Sequence, residues 1–186
     1  MSMTSCLRTG AMALALGALA MAPAVSRAHI TLEQGEAVAG SPYKAVLRVG
    51  HGCDGAATTQ ITVTLPPGFR GAKPMPKEGW TLAIRRQALA QPYDSHGKTI
   101  REDVTEISWT ARDEAHALPD AWYDEFVLRG GTPEAVGPVW FKVHQRCTQG
   151  EWSWSEVPAS GASTAGLKAP AVRLMLKAPG SAEHSH

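Results

Sequence analysis

The residues of this chain best suited to chemistry begin at His29, which follows Ser26-Arg27-Ala28 at the end of an apolar run. Cleavage after Ala28 would make His29 the first residue of the mature protein. A terminal histidine carries a freed α-amine and a ring Nδ1 a few bonds apart, and the two can close a six-membered chelate on a transition metal. Imidazole and amine nitrogens suit Cu(II), which heads the affinity order of the divalent first-row metals. A second imidazole, His51, lies in the loop Gly50-His51-Gly52-Cys53-Asp54-Gly55. His144 falls out of phase with Phe141 and Val143 and reads as an outward, non-ligating residue, and the tail residues His184 and His186 read as solvated. No Gly-x-Ser-x-Gly elbow or telling Ser/His/Asp arrangement is present. Nor does the chain contain a glycine loop of the kind that cradles phosphate.

Cysteine usage depends on the same cleavage. The chain has three cysteines, and Cys6 would leave with the signal. Two remain, Cys53 and Cys147, and in an oxidising compartment a pair reads as a disulfide. It would close a loop of about 95 residues, worth about 4 kcal/mol in the chain-entropy account. Ligation of Cu(I) by both thiolates is the alternative, although neither flank carries a close CxxC or MxxM spacing.

The elements that must position these groups start with an export signal. Arg8 gives a positive n-region, residues 11–22 an apolar h-region, and Ser26-Arg27-Ala28 a cleavage site. The apolar run is too short to span a bilayer as a helix, and nothing downstream reads as a transmembrane segment. Cys6 precedes the apolar run without a lipobox, so a lipoprotein is not expected. The mature protein is expected to be soluble and periplasmic. Lysine and arginine number 18 against 17 acidic residues, for a formal net charge of +1, so charge gives no case for nucleic acid or an anionic membrane.

Residues 29–33 alternate, with Ile30 and Leu32 on one face and His29, Thr31 and Glu33 on the other. Residues 43–49 form a second strand with Ala45, Leu47 and Val49 on one face, and residues 59–65 a third, ended by Pro66-Pro67-Gly68. Further strands are expected over 81–86, 104–110, 122–129, 139–147 and 152–157, with a hairpin tip in 91–98. Eight or nine short strands with frequent turns predict an all-β, immunoglobulin/fibronectin-like sandwich, with Trp109 as its core tryptophan. The sequence divides into a signal peptide (1–28), the sandwich (29–158) and a C-terminal extension (159–186), whose residues 171–176 allow one last strand before a flexible tail.

If residues 29–33 and 43–49 pair as an antiparallel hairpin, the start of one lies beside the end of the other. His29 then falls near residues 49–51, and so near His51. Otherwise His51 is a polar loop residue packed beside Cys53. Glu33 shares the face of His29 but lies about 13 Å along the strand; it and Glu36 are weaker ligand candidates.

Several separated motifs occur together in order. They are Ala28-His29-Ile30-Thr31-Leu32, the strand 44–49 running into His51-Gly52-Cys53, and Lys77-Glu78-Gly79-Trp80. Next come Ile107-Ser108-Trp109, Leu118-Pro119-Asp120 with Tyr123 and Phe126, and Gln145-Arg146-Cys147 through Gly150 to Trp154. In these the chain resembles the YcnI-like family of exported bacterial copper-binding sandwich proteins, over about residues 28–158. The resemblance implies a Cu(II) site built from the mature N-terminal histidine, a carboxylate and a nearby tryptophan. His29 matches the histidine and Trp154 the tryptophan. The carboxylate of that family precedes the second strand, where this chain reads Ser41-Pro42-Tyr43-Lys44, with no acid. His51 is the replacement that the hairpin offers.

The expectation is therefore a periplasmic Cu(II)-binding protein of copper trafficking, acquisition or homeostasis, not an enzyme. Its metal ligands would be His29 and His51, beside Trp154, and its partner another periplasmic copper chaperone or a cuproprotein assembly factor. Two alternatives stand beside it. One is a copper-dependent redox enzyme of the N-terminal-histidine monooxygenase type, with His51 as second ligand. The other is a structural sandwich domain without metal.

Overall fold

The computed structural model describes residues 29–180. The expected signal segment and the tail residues His184 and His186 lie outside the described residues. Within them the chain forms eleven strands, numbered in chain order, in two sheets. One sheet has four strands in the order β1-β3-β8-β5. They are β1 (Thr31–Leu32), β3 (Pro42–Val49), β8 (Asp124–Gly131) and β5 (Arg70–Pro74). The other runs β2-β11-β9-β4-β7-β6, with β10 paired to β9 beside that path. Its members are β2 (Glu36–Val38), β11 (Val172–Lys177), β9 (Gly137–Cys147), β4 (Thr58–Thr64), β7 (Lys98–Ala111), β6 (Trp80–Ser95) and β10 (Glu151–Trp154). The result is the all-β sandwich expected of the alternating sequence.

Period-two patterning decides which face of each strand is buried. Along β3, Tyr43, Ala45, Leu47 and Val49 are buried, while Pro42 and Lys44 are exposed and Arg48 is half-buried. Facing them across the core are Ile61 and Val63 of β4, Ile107 and Trp109 of β7, and Phe141 and Val143 of β9. Trp109 is fully buried, donates its indole N–H to the Met75 carbonyl at 3.0 Å, and meets the ring of Phe126 edge-on at 5.7 Å. A buried tryptophan needs such an acceptor.

Three features extend or revise the sequence reading. The segment 171–176 is realised as β11, which pairs with β9 on one side and, in parallel, with β2 on the other, and buries Val172, Leu174 and Leu176. This part of the chain beyond residue 158 is core. The strand expected over 81–86 is only the start of β6. The β6–β7 hairpin runs on to a two-residue turn at His96-Gly97, with φ of 48° and 73°, the left-handed pair that a tight hairpin turn requires. Two short strands were not foreseen at all: β2, and β5, which carries Gly71 and ends on Pro74.

Candidate metal centre

The first hairpin sets the geometry. In β1–β3, Thr31 lies opposite Arg48 and Leu32 opposite Leu47. Continued two residues outward, that register carries His29 to the level of Gly50, one residue from His51. Ile30 and Leu32 are buried and anchor the strand, while His29 stays exposed at the rim.

Trp154, at the end of β10, is the surface on which both histidines converge. Its ring centroid is 5.5 Å from that of His29 and 6.1 Å from that of His51, each in edge-on geometry. Trp152 stacks on it from the same strand, 5.5 Å away with 29° between the planes. Trp154 is only 1% exposed, so it is at once a core residue and the floor of the histidine cluster. The structure thus brings together His29, His51 and Trp154.

The His51 loop is fastened from several directions. The Cys53–Cys147 disulfide, with Cα atoms 5.9 Å apart, ties it to the end of β9. That excludes the thiolate-pair alternative for the oxidised protein. Asp120 Oδ1 accepts from the Gly52 N–H at 2.8 Å. Cys53 and Ala56 exchange backbone hydrogen bonds at 3.0 and 2.9 Å around a turn at Asp54-Gly55. A Cβ at position 52 would run into the Ala56 carbonyl oxygen, so any residue but glycine there forces the loop to shift. His51 Nδ1 lies 2.6 Å from the Gly52 carbonyl. A carbonyl only accepts, so with Nδ1 as the donor the ring lone pair sits on Nε2, a tautomer in which Nε2 can ligate a metal.

Gln145 joins these parts. It is fully buried on β9 and donates from Nε2 to the His51 carbonyl at 2.7 Å and to Thr58 Oγ1 at 2.8 Å. Its Oε1 accepts the Trp154 indole N–H at 3.2 Å. One amide therefore fixes both the tryptophan and the backbone of the histidine loop. The sequence contained a signal for it: Gln145 is in phase with Phe141 and Val143, and an inward polar residue on a strand needs buried partners.

The remaining candidates are engaged elsewhere. Glu33 pairs with Arg48 at 2.9 Å and Glu36 with Lys177 at 2.6 Å. His144, half-buried, lies 3.2 Å from Glu151. Among the described residues no group of three or more His, Cys, Asp or Glu side chains could hold a metal ion. His29 and His51 each lie edge-on to Trp154, so a metal site here would need a further donor that is not a side chain. The α-amine of a processed His29 is such a donor, and three nitrogens of this kind fit Cu(II).

Fold and rim together define an immunoglobulin-like sandwich with a histidine–tryptophan cluster at one end. The chain belongs to the family described as a domain of unknown function, DUF1775, whose model matches residues 29–176. An uncharacterized protein from Nocardia farcinica with an immunoglobulin-like fold is similar at 27% identity and a TM-score of 0.61, over 80% of this chain and 97% of that one. A type I cohesin from Pseudobacteroides cellulosolvens overlaps at 10% identity and a TM-score of 0.39, over 85% of this chain and 97% of its own, too slight a likeness to build on. No curated protein matches the chain.

Proposed function

We propose that this protein is exported, loses residues 1–28, and binds Cu(II) through His29 and His51 beside Trp154, as a periplasmic carrier rather than a catalyst. The observation that carries the reading is the convergence of both imidazoles on one buried tryptophan. The family match that opens at His29 and the resemblance to YcnI-like copper proteins support it. His29 would supply its α-amine and Nδ1, and His51 its Nε2. Copper(II), when bound, supplies a nitrogen-ligated centre open to exchange with another copper protein. Few protein ligands, one of them terminal, suit delivery to a copper chaperone or a cuproprotein assembly factor.

The test is a variant with one glycine added before His29, which retains every side chain and displaces the α-amine. It should keep its fold and lose most Cu(II) affinity, with altered EPR parameters. His51→Ala should remove one nitrogen from the hyperfine pattern. Equal copper binding by the glycine-extended and processed proteins would sink the terminal chelate. Oxygen consumption by the copper-loaded protein with a reductant would favour the monooxygenase alternative instead.

A further inference from the structure

On the outer face of the four-stranded sheet, Lys44 of β3 lies directly opposite Arg129 of β8, and Arg129 directly opposite Lys73 of β5. All three are exposed. Like charges placed directly across strands destabilise a sheet, and the same face shows how the fold deals with charge elsewhere. In its other charged row, Arg48 pairs with Glu33 at 2.9 Å and with Glu125 at 3.6 Å. The Lys44–Arg129–Lys73 row has no acid partner among the ion pairs of the described residues. Neighbouring strands are about 4.8 Å apart, so the row spans about 10 Å.

A hollow lies on each side of this row. One, of about 310 Å³, has Pro74, Met75, Pro76 and Val127 in its lining, and Met75 is 54% exposed. The other, of about 330 Å³, is walled by Arg70 and by His96 at the tip of the β6–β7 hairpin. Arg70 is held in place, 4.8 Å above the Tyr93 ring and 3.5 Å from Glu134.

We propose that this face docks an acidic segment of a protein partner in extended conformation. Same-side residues of an extended segment are about 6.7 Å apart, so two carboxylates at alternate positions match the cation row. An apolar side chain beside them fills the Met75–Val127 hollow. A flat bilayer matches the surface less well, because the hairpin tip walls one side and the hollows admit single side chains. The site is about six residues along β3 from the level of His29, about 20 Å, and does not depend on the copper reading.

The probe is a soluble acidic peptide with glutamates at alternate positions and one leucine, titrated into the isotope-labelled, metal-free mature protein. Amide shifts should concentrate on β3, β5 and β8, and affinity should fall as salt rises. Lys44→Glu with Arg129→Glu should weaken binding about tenfold or more, and a lysine-for-glutamate peptide should recover part of the loss. Arg129→Gln alone, a milder change, should weaken it severalfold with the fold intact. No shift at millimolar peptide, or unchanged affinity in the folded variants, overturns the proposal. So does binding to phosphatidylglycerol vesicles without binding to the peptide, which would make the face a membrane surface.

Discussion

Gln145→Leu tests whether the histidine loop and the tryptophan floor are one unit. The substitution nearly keeps volume but removes a donor pair and an acceptor. The Trp154 N–H, on a side chain 1% exposed, loses its 3.2 Å acceptor. The His51 carbonyl and Thr58 Oγ1 lose donors at 2.7 and 2.8 Å. A buried polar group left unsatisfied costs about 1–3 kcal/mol. The His51 carbonyl can recruit water because its residue is only half-buried, and the Thr58 hydroxyl can rotate. The expected loss is therefore about 2–4 kcal/mol, most of it from the indole. Urea unfolding measures it as a lower midpoint at unchanged slope. A double-mutant cycle isolates the link. With Trp154→Phe in the background the indole N–H is absent, so Gln145→Leu should cost about 1–3 kcal/mol less than in the wild type. Additivity of the two substitutions to within about 0.5 kcal/mol would refute the reasoning. It would mean that Gln145 supports the loop alone and that Trp154 is held by packing.

Replacing Cys53 and Cys147 together by serine should lower stability by about 2–5 kcal/mol, read by thermal or urea unfolding, and equal stability of the two proteins would contradict it. Gly52→Ala should cost about 1–3 kcal/mol through overpacking and alter the Cu(II) EPR spectrum if His51 is a ligand; a variant of wild-type stability would contradict the close approach to Ala56. The three tyrosines give a pH prediction. Burial, then the charge of Glu33, pushes Tyr43 up to about 12, and burial, then the hydrogen bond to Asp103, does the same for Tyr93. Tyr123 is raised by its hydrogen bond to Glu125. For Tyr43 the folded value lies above an unfolded value near 10. The stability that its neutral phenol contributes is thus complete below about pH 10 and is lost as pH rises toward 12. Tyr43→Phe should flatten that alkaline decline, and phenolate absorbance rising with a midpoint near 10 in the native protein would contradict the burial argument.

What the sequence made legible was whatever alternation and local pairing control. The inward faces of β3, β4 and β9 follow from period two, and the β1–β3 register carries His29 to the level of Gly50, beside the His51 loop. What it hid has three physical causes. The middle of β6 is exposed on both sides from Ala83 to Ala88, so no alternation marks it, and the hairpin looked shorter than it is. Short strands such as β2 form because distant β11 offers an edge, a parallel pairing of residues about 140 apart in sequence that no local pattern encodes. The Gln145 network depends on three partners from separate strands and loops. Only its inward phase could have been read in advance, and its partners could not.

The two histidines are held in opposite ways, and under the proposed function that asymmetry has a consequence. His51 sits in a loop fixed by a disulfide, by Asp120 and by Gln145. Its ring is turned by the bond from Nδ1 to the Gly52 carbonyl, so little conformational freedom remains to be lost on binding a metal. His29 hangs from a two-residue strand at the edge of its sheet, anchored chiefly by the burial of Ile30 and Leu32. Such an end opens at small cost in free energy, as the ends of edge elements generally do. A metal held between a fixed imidazole and a terminal arm can lose the arm's nitrogens first while the imidazole and the tryptophan floor stay in place. An incoming ligand from another protein can then replace those nitrogens one at a time. Exchange by that route avoids the free aquo ion, and it requires no unfolding of the sandwich that carries the site.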